Sequence, residues 1–490
     1  MELILKAENI QLEYSGKEIL DINDIEIYSY DRIGLIGDNG CGKSTLLNIL
    51  SQKQTLANAK LQNFGTVTYI PQLERSQPSE ESDLSLLSRF GVSNLNQDTM
   101  SGGEETRMKI ATAFSKQSHA LFIDEPTCHL DEEGINLLIK NIDAFEGALL
   151  VVSHDRYFLD SVVDKIWELK DGKITEYWGG YSEYSQQKQE QHMQQAEEYK
   201  KIEKERKRLE LSMMEKQKQA QQIDKKSKGA VKKNVNESAG RLGHQKSTGT
   251  KQKKLFNAAK NLEQRITALD EVSAPETKRI VRFKQSDALA LHNKCPIAGD
   301  DINLSFEENV IFKNASFKVP LGEKIAITGA NGTGKTTLFK MILEADTCFD
   351  ISPKAVIGYL EQTGYQLTNQ QTIISFMQED CDYQIPEIRS ALAAMGFGPR
   401  DINKNLSVLS GGEIIKILLT KVLLAPYNIL LLDEPSNYLD ISSIEALENM
   451  MQNYAGTIVF ISHDKRLVEN VATIIYEIKD KAITKIYDKQ

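Results

Sequence analysis

Long hydrophobic runs are missing from this 490-residue chain. The longest, such as that in NILLLDE around Ile429 to Leu432, fall far short of the roughly 18 residues a membrane span needs, so the sequence reads as that of a soluble protein. The opening MELILKAENI lacks the basic start, apolar stretch and small-residue cleavage site of a secretory signal. Cysteine is scarce: Cys41, Cys128, Cys295, Cys348 and Cys381 are scattered, with no CxxC pair. That excludes a disulfide framework or thiolate metal cage and fits a reducing cytoplasm. With 40% hydrophobic and 26% charged residues the chain can still bury large cores, and its length allows two or three domains of about 100–200 residues each.

Positive charge is in deficit overall, at a net −10, yet it is concentrated. Residues 191–260 hold 19 Lys or Arg against 8 Asp or Glu, a net +11, which leaves −21 for the rest. Such a basic middle between acidic ends predicts that only the middle meets a polyanion.

Four blocks recur in the same order. GDNGCGKST (Gly37, Asp38, Asn39, Gly40, Cys41, Gly42, Lys43, Ser44, Thr45) returns as GANGTGKTT (Gly329, Ala330, Asn331, Gly332, Thr333, Gly334, Lys335, Thr336, Thr337). SGGEE (Ser101, Gly102, Gly103) returns as SGGEI (Ser410, Gly411, Gly412), LFIDEPT as LLLDEPS, and VVSHD as FISHD. Two related α/β cassettes therefore lie on one chain. Each first block fits G-x-x-x-x-G-K-[ST] between an apolar strand and a helical pattern, the context of a phosphate-binding loop. Its glycines turn backbone amides toward phosphate oxygens, and the helix amino terminus adds positive charge. Lys43 and Lys335 are predicted to reach the β- and γ-phosphates of ATP, and Ser44 and Thr336 to offer hydroxyls to Mg²⁺. Asp124 and Asp433, ending apolar strands, are assigned to the metal, and Glu125 and Glu434 to polarising the attacking water as general bases. His154 and His463 follow further apolar strands, placed to contact the γ-phosphate.

These residues resemble the ATP-binding cassette superfamily, across both cassettes and so most of the chain; the SGGE blocks are similar to its signature motif. The resemblance implies a head-to-tail sandwich, each nucleotide held between one cassette's phosphate loop and the other's signature. One site would join Lys43, Ser44, Gln72, Asp124, Glu125 and His154 with Ser410, Gly411 and Gly412. The other would join Lys335, Thr336, Gln362, Asp433, Glu434 and His463 with Ser101, Gly102 and Gly103. Gln72 and Gln362 complete the expected Mg²⁺ sets, and Tyr14 and Phe306 stand where the family stacks an aromatic ring on adenine. Two cassettes without a membrane segment, SHDRYFLD, and GGYSEY resemble the ABC-F class of translation ATPases. The short interval from Gln72 to Ser101 leaves little room for an "arm", and the second cassette ends almost at Gln490. Both traits resemble the antibiotic-resistance branch, nearest its macrolide and streptogramin B members. EPTCHLD (Cys128) and EPSNYLD (Tyr438) depart from the usual EPTNHLD at the loop between the sites, which could alter their coupling.

Between cassettes expected at 1–181 and 291–490 lies a linker expected at 182–290. Ala196, Tyr199, Ile202, Leu209, Met213, Ala220 and Ile223 form one stripe on a long helix from Tyr184 to Ile223, and Leu255, Ala258, Ala259, Leu262, Ile266 and Leu269 form a second. Two antiparallel helices are predicted, the returning one shorter. KKIEKERKRLE (Lys200 to Glu210) reads as a solvated helix face. Residues 228–254 carry eight Lys or Arg and one acid, and their glycines (Gly229, Gly240, Gly243, Gly249) are expected to break any helix and form the tip, near 225–250, or the irregular approach to it. There Lys232, Lys233 and Lys246 would neutralise phosphates, while Arg241, Leu242 and His244 could stack on unpaired RNA bases.

The family resemblance implies a cytoplasmic, monomeric ribosome-protection ATPase with no membrane partner. Its linker would enter from the tRNA exit side toward rRNA of the peptidyl-transferase centre and exit tunnel, beside P-site tRNA, and expel bound antibiotic. Three other readings stay open: a housekeeping ABC-F factor that relieves stalling, the tandem ATPase of a membrane importer, and a coiled-coil chromosome or repair ATPase.

Overall fold

Apolar residues occupy both faces of the short repeated strands, so these strands have to lie in a sheet covered on both sides. The computed structural model describes residues 2–14, 16–71, 102–128, 130–231, 242–269, 291–306, 309–361, 370–379 and 381–489. In the first cassette the sheet runs Val67–Ile70, Ala120–Asp124, Ala148–Val152, Arg32–Ile36 and Lys165–Lys170, all parallel, with Lys173–Trp178 antiparallel at the edge. The second cassette repeats this order with Ile357–Leu360, Ile429–Asp433, Thr457–Ile461, Lys324–Thr328, Ile474–Lys479 and Ala482–Asp488. Strand periodicity divides the cores. Along Ala148–Val152, Leu149 and Val151 enter one hydrophobic cluster, while Ala148, Leu150 and Val152 enter the cluster on the other face. Ile458 and Phe460 part from Val459 and Ile461 in the same way. Each cassette adds a three-stranded antiparallel sheet, built on Leu3–Tyr14 in the first and Ile297–Phe306 in the second.

The chain divides into two compact units, Met1–Tyr184 with Lys278–Gln490, and Ser185–Thr277. Both cassettes belong to the first unit, where charged residues bridge them. Arg156, only 3% exposed, hydrogen-bonds Glu448 and lies 3.4 Å from Asp464 of the other cassette. Nearby, Lys465 pairs with Glu132 at 2.8 Å and sits 4.2 Å from the Tyr157 ring centroid.

The second unit is helical. One helix spans Tyr181–Val231, 51 residues of which Tyr181–Tyr184 belong to the first unit, and another Leu242–Ala268, 27 residues, so the second is the shorter, as expected. The predicted stripes are protected wherever their side chains are described; that of Ile223 lies outside the described residues. Ala220 and Ala259 are buried, and Ala196, Tyr199, Ile202, Leu209 and Met213 are half-buried, as are Leu255, Ala258, Leu262, Ile266 and Leu269. The Lys200 to Glu210 face is solvated, with exposed pairs such as Lys207–Glu203 at 2.9 Å and Arg206–Glu210 at 3.2 Å. The expectation that glycine breaks the basic segment is corrected at three of its four glycines: the first helix continues through Gly229 and the second runs through Gly243 and Gly249, while Gly240 lies outside the described residues. One glycine costs a helix only about 1 kcal/mol relative to alanine, and the Lys, Gln and Ala around these positions are good helix formers. Lys232, Lys233 and Arg241 lie outside the described residues; Leu242, His244 and Lys246 fall on the second helix with their side chains outside them. Among the described residues no helix is long and apolar enough to cross a membrane.

Arg156→Ala should lower stability by about 3–5 kcal/mol, the range for breaking a buried ion pair. The thermal-unfolding midpoint measures it. In combination with Glu448→Ala, the loss should be clearly smaller than the sum of the two single losses.

Candidate active site

The functional side chains emerge at the carboxyl ends of three neighbouring parallel strands, where an open α/β sheet gathers its ligands. Arg32–Ile36 leads into the first phosphate loop and the helix Lys43–Leu50; Lys324–Thr328 leads into the second and the helix Lys335–Leu343. Both helices are preceded by a glycine in the left-handed region, Gly42 at φ 108° and Gly334 at φ 97°. A Cβ there would meet Ile19 Cγ2 at 2.9 Å or Ile311 Cγ2 at 2.4 Å, so no other residue fits. Lys43 Nζ curls back to donate to the carbonyls of Gly37 at 2.7 Å and Asp38 at 3.0 Å, and Lys335 does the same to Gly329 and Ala330 at 2.8 and 2.9 Å. Each ammonium is thereby held over the hollow of its own loop.

Next to the loops stand the strand-end carboxylates. Asp124 is hydrogen-bonded to Ser44, and Asp433 to Thr336, so each loop hydroxyl meets the carboxylate expected to share its metal. Burial raises both aspartates above the usual carboxylate range. Asp433 Oδ2 is buried without a hydrogen-bond partner. These oxygen donors fit Mg²⁺, which takes one or two carboxylates and leaves its remaining positions to water and substrate phosphates. A complete protein cage is absent, since no cluster of three or more His, Cys, Asp or Glu is found among the described residues.

Glu125 and Glu434 adopt φ 50° and 49°, a left-handed backbone uncommon outside glycine, which aims each carboxylate at the neighbouring strand end. Glu125 Oε2 accepts from the His154 amide at 3.3 Å, and Oε1 lies 3.2 Å from His154 Nε2. The second cassette repeats both contacts at 3.4 Å between Glu434 and His463. Burial pushes both glutamates up to about 8, against the opposing pull of Lys43 or Lys335. It also pushes His154 down to about 3 and His463 to about 4. Burial thus disfavours the charged form of both partners, while the Lys43 or Lys335 ammonium favours the ionised glutamate.

The cassettes complete one another. One cavity of about 1490 Å³ is lined by both phosphate loops, both Asp-Glu pairs, both histidines, and Ser410, Gly412 and Glu413. Ser410 caps its helix in a box with Glu413, and a Cβ on Gly412 would stand 3.2 Å from Asn39 Nδ2. The first phosphate loop and the second signature are thus brought together. Asn39 donates its amide to Asp440 Oδ2 at 3.0 Å and its side chain to the Tyr438 carbonyl at 2.9 Å. Reciprocally, the Asn331 amide donates to Asp131 Oδ2 at 3.3 Å. Each aspartate also caps its own helix and binds a cation of its own signature helix, Asp440 with Lys416 at 2.7 Å and Asp131 with Arg107 at 3.3 Å. Asp38 adds a bond from Ser442 at 3.1 Å, a contact Ala330 cannot make.

Asp131 and Asp440 escaped the sequence reading, although their place in EPTCHLD and EPSNYLD was the available signal. Gly102 and Gly103 open the helix Gly102–Phe114, and Tyr14 lines the cavity with its ring 73% exposed. Gln72, Gln362 and Ser101 lie outside the described residues, as does the side chain of Phe306.

Two phosphate loops, each met by an Asp-Glu strand end, a histidine and a contact from the opposite cassette, define an ATP-hydrolysing P-loop ATPase of the ATP-binding cassette kind. A family model described as "ABC transporter" matches residues 20–128 and 312–437. The erythromycin resistance ATP-binding protein MsrA of Staphylococcus epidermidis is 33% identical over 489 residues, covering 98% of each chain. The ribosome protection protein VmlR of Bacillus subtilis (strain 168) is 31% identical over 99% of this chain and 88% of its own. The archaeal ribosome recycling factor aABCE1, solved with the ribosomal stalk protein aP1, matches at TM-score 0.64 over 98% of this chain and 90% of that one. Its 17% identity shows a shared fold. The chain belongs to the ABC-F family, in the Msr-type antibiotic-resistance branch.

Burial opposes ionisation of Asp440, but the Lys416 ammonium and hydrogen bonds from Ser443 and Asn39 outweigh it and hold the carboxyl well below the usual range. A depressed carboxyl contributes stability above its unfolded value, about pH 4, that is lost as pH falls. Thermal midpoints of wild type and Asp440→Asn should therefore converge between about pH 5 and about pH 2.

Proposed function

We propose that this chain is a ribosome-protection ATPase. The observation that carries the reading is its end-to-end similarity to MsrA and VmlR, with a helical unit of basic sequence between the cassettes. ATP binds in the composite cleft, Lys43 and Lys335 exchanging loop carbonyls for phosphate oxygens. Ser44 with Asp124, and Thr336 with Asp433, joined by Gln72 and Gln362, hold Mg²⁺, which supplies neutralisation of phosphate charge when bound. In their ionised form Glu125 and Glu434 orient the attacking water and accept its proton, and the neutral imidazoles of His154 and His463 donate toward the γ-phosphate. Tyr14 and Phe306 stack on adenine.

Closure around ATP favours the ribosome-bound state, because the nucleotide binds the paired cassettes more tightly than the separated ones. The linker, 182–290, then lies against rRNA near the peptidyl-transferase centre and exit tunnel and against P-site tRNA. Lys232, Lys233 and Lys246 neutralise phosphate there, Arg241, Leu242 and His244 meet unpaired bases, and bound macrolide or streptogramin B leaves. Hydrolysis releases the protein, which works as a cytoplasmic monomer.

Glu125→Gln with Glu434→Gln should cut ATP turnover by about 10²–10⁴, the usual contribution of a general base, and leave the protein on ribosomes when ATP is present. Sedimentation no greater than that of wild type overturns the cycle. In a drug-sensitive bacterium, expression should raise growth on macrolides and streptogramins. Arg241→Ala, Leu242→Ala and His244→Ala together should abolish that gain while ATPase activity persists.

A further inference from the structure

Both cassettes build the first turn of the long helix. Its start follows Gly180, where a Cβ would lie 2.9 Å from Asp160 Oδ1, so glycine lets this carboxylate approach the free amides. Asp160 accepts from the Ser182 amide at 2.7 Å and the Ser182 hydroxyl at 2.9 Å, a negative charge set on the positive end of a helix. Tyr184 donates to Glu168 at 3.0 Å. These contacts lie within the first cassette.

The remaining contacts come from the second cassette. Arg466 pairs with the same Asp160 and donates to Ser182 Oγ at 2.6 Å, and its guanidinium carbon stands 5.3 Å from the Tyr181 ring centroid. The Tyr181 hydroxyl donates to Glu445 Oε1 at 3.1 Å, and Tyr181 is 3% exposed. The two second-cassette residues are both wired to the nucleotide cleft. Glu445 lies on the helix Ile441–Asn453, whose cap Asp440 holds the first phosphate loop. Arg466 lies on the helix Lys465–Val471, capped by Asp464 directly after His463. Any separation of the cassettes moves Glu445 and Arg466 away from the turn, while Asp160 and Glu168 stay with it.

We propose that Arg466 and Glu445 are positioning residues of a closure-dependent clamp on this turn, received by Tyr181, Ser182 and Asp160. Pairing of the cassettes around nucleotide secures the root of the helix, and opening frees it. The clamp rests on the ribosome cycle above for its biological use and on the cleft geometry for its existence.

Hydrogen exchange on the full chain tests it, in a Glu125→Gln, Glu434→Gln parent that keeps ATP bound. Saturating ATP should slow amide exchange across 181–184 by at least about tenfold, as expected when charge-assisted hydrogen bonds hold a local opening shut. Adding Arg466→Ala and Tyr181→Phe should reduce that ATP effect to within about twofold, while peptides covering 37–45 and 329–337 keep their protection. Arg466→Lys should restore part of it. Without the Glu→Gln changes, Arg466→Ala should leave ribosome-free ATPase turnover within about twofold of wild type, since no contact to the cleft is removed. Tyr181→Phe alone, which retains the ring, gives an intermediate effect and serves if the double change unfolds. Full ATP-dependent protection of 181–184 in the clamp variants, or none in the parent, overturns the proposal. First-turn protection in a parent that ignores ribosomes keeps the clamp and removes the ribosome reading.

Discussion

Everything in the working part of this molecule depends on two aspartates that each serve three neighbours. Asp440 caps its own helix, neutralises a buried lysine of its signature helix, and receives the amide of Asn39 from the opposite phosphate loop. Asp131 does the same in reverse with Arg107 and Asn331. A carboxylate has enough acceptor positions to satisfy three donors at once, and few other side chains do. The seam between the cassettes and the wall of the cleft are consequently one surface.

Against that constraint, the local strain of the cleft is affordable. Glu125 and Glu434 hold an unfavourable backbone and a buried carboxyl together. What fixes them is the strand behind each, Ala120–Asp124 or Ile429–Asp433, with every residue buried and all but the terminal aspartate paired on both sides. Rigid strand ends let a glutamate sit where solvent would otherwise relax it. The same rigidity keeps the imidazoles of His154 and His463 beside those carboxyls.

Much of this could be read before any coordinates. The duplicated blocks carry their own spacing, so phosphate loops, strand-end acids and histidines fall into place once the repeat is seen. Helical period did the same for the linker stripes, whose described side chains are buried or half-buried. The basic segment misled because glycine was weighed as a punctuation mark, although its helical cost is small beside the neighbours' propensity. Arg156 with Glu448, Asp160 with Arg466, and Asp440 with Asn39 were illegible for another reason. These partners are some 300 to 400 positions apart, and no periodic pattern announces a contact made only when two domains meet.

The reciprocal wiring of the clefts also governs how this duplicated gene can change. A lesion in one repeat damages half of each cleft, so the second copy is no spare. Neither repeat is free to drift toward a new trade while its twin keeps the old one; they must be tuned as a couple. Unequal recombination between the similar segments would leave a single cassette with a phosphate loop and a signature that never face one another.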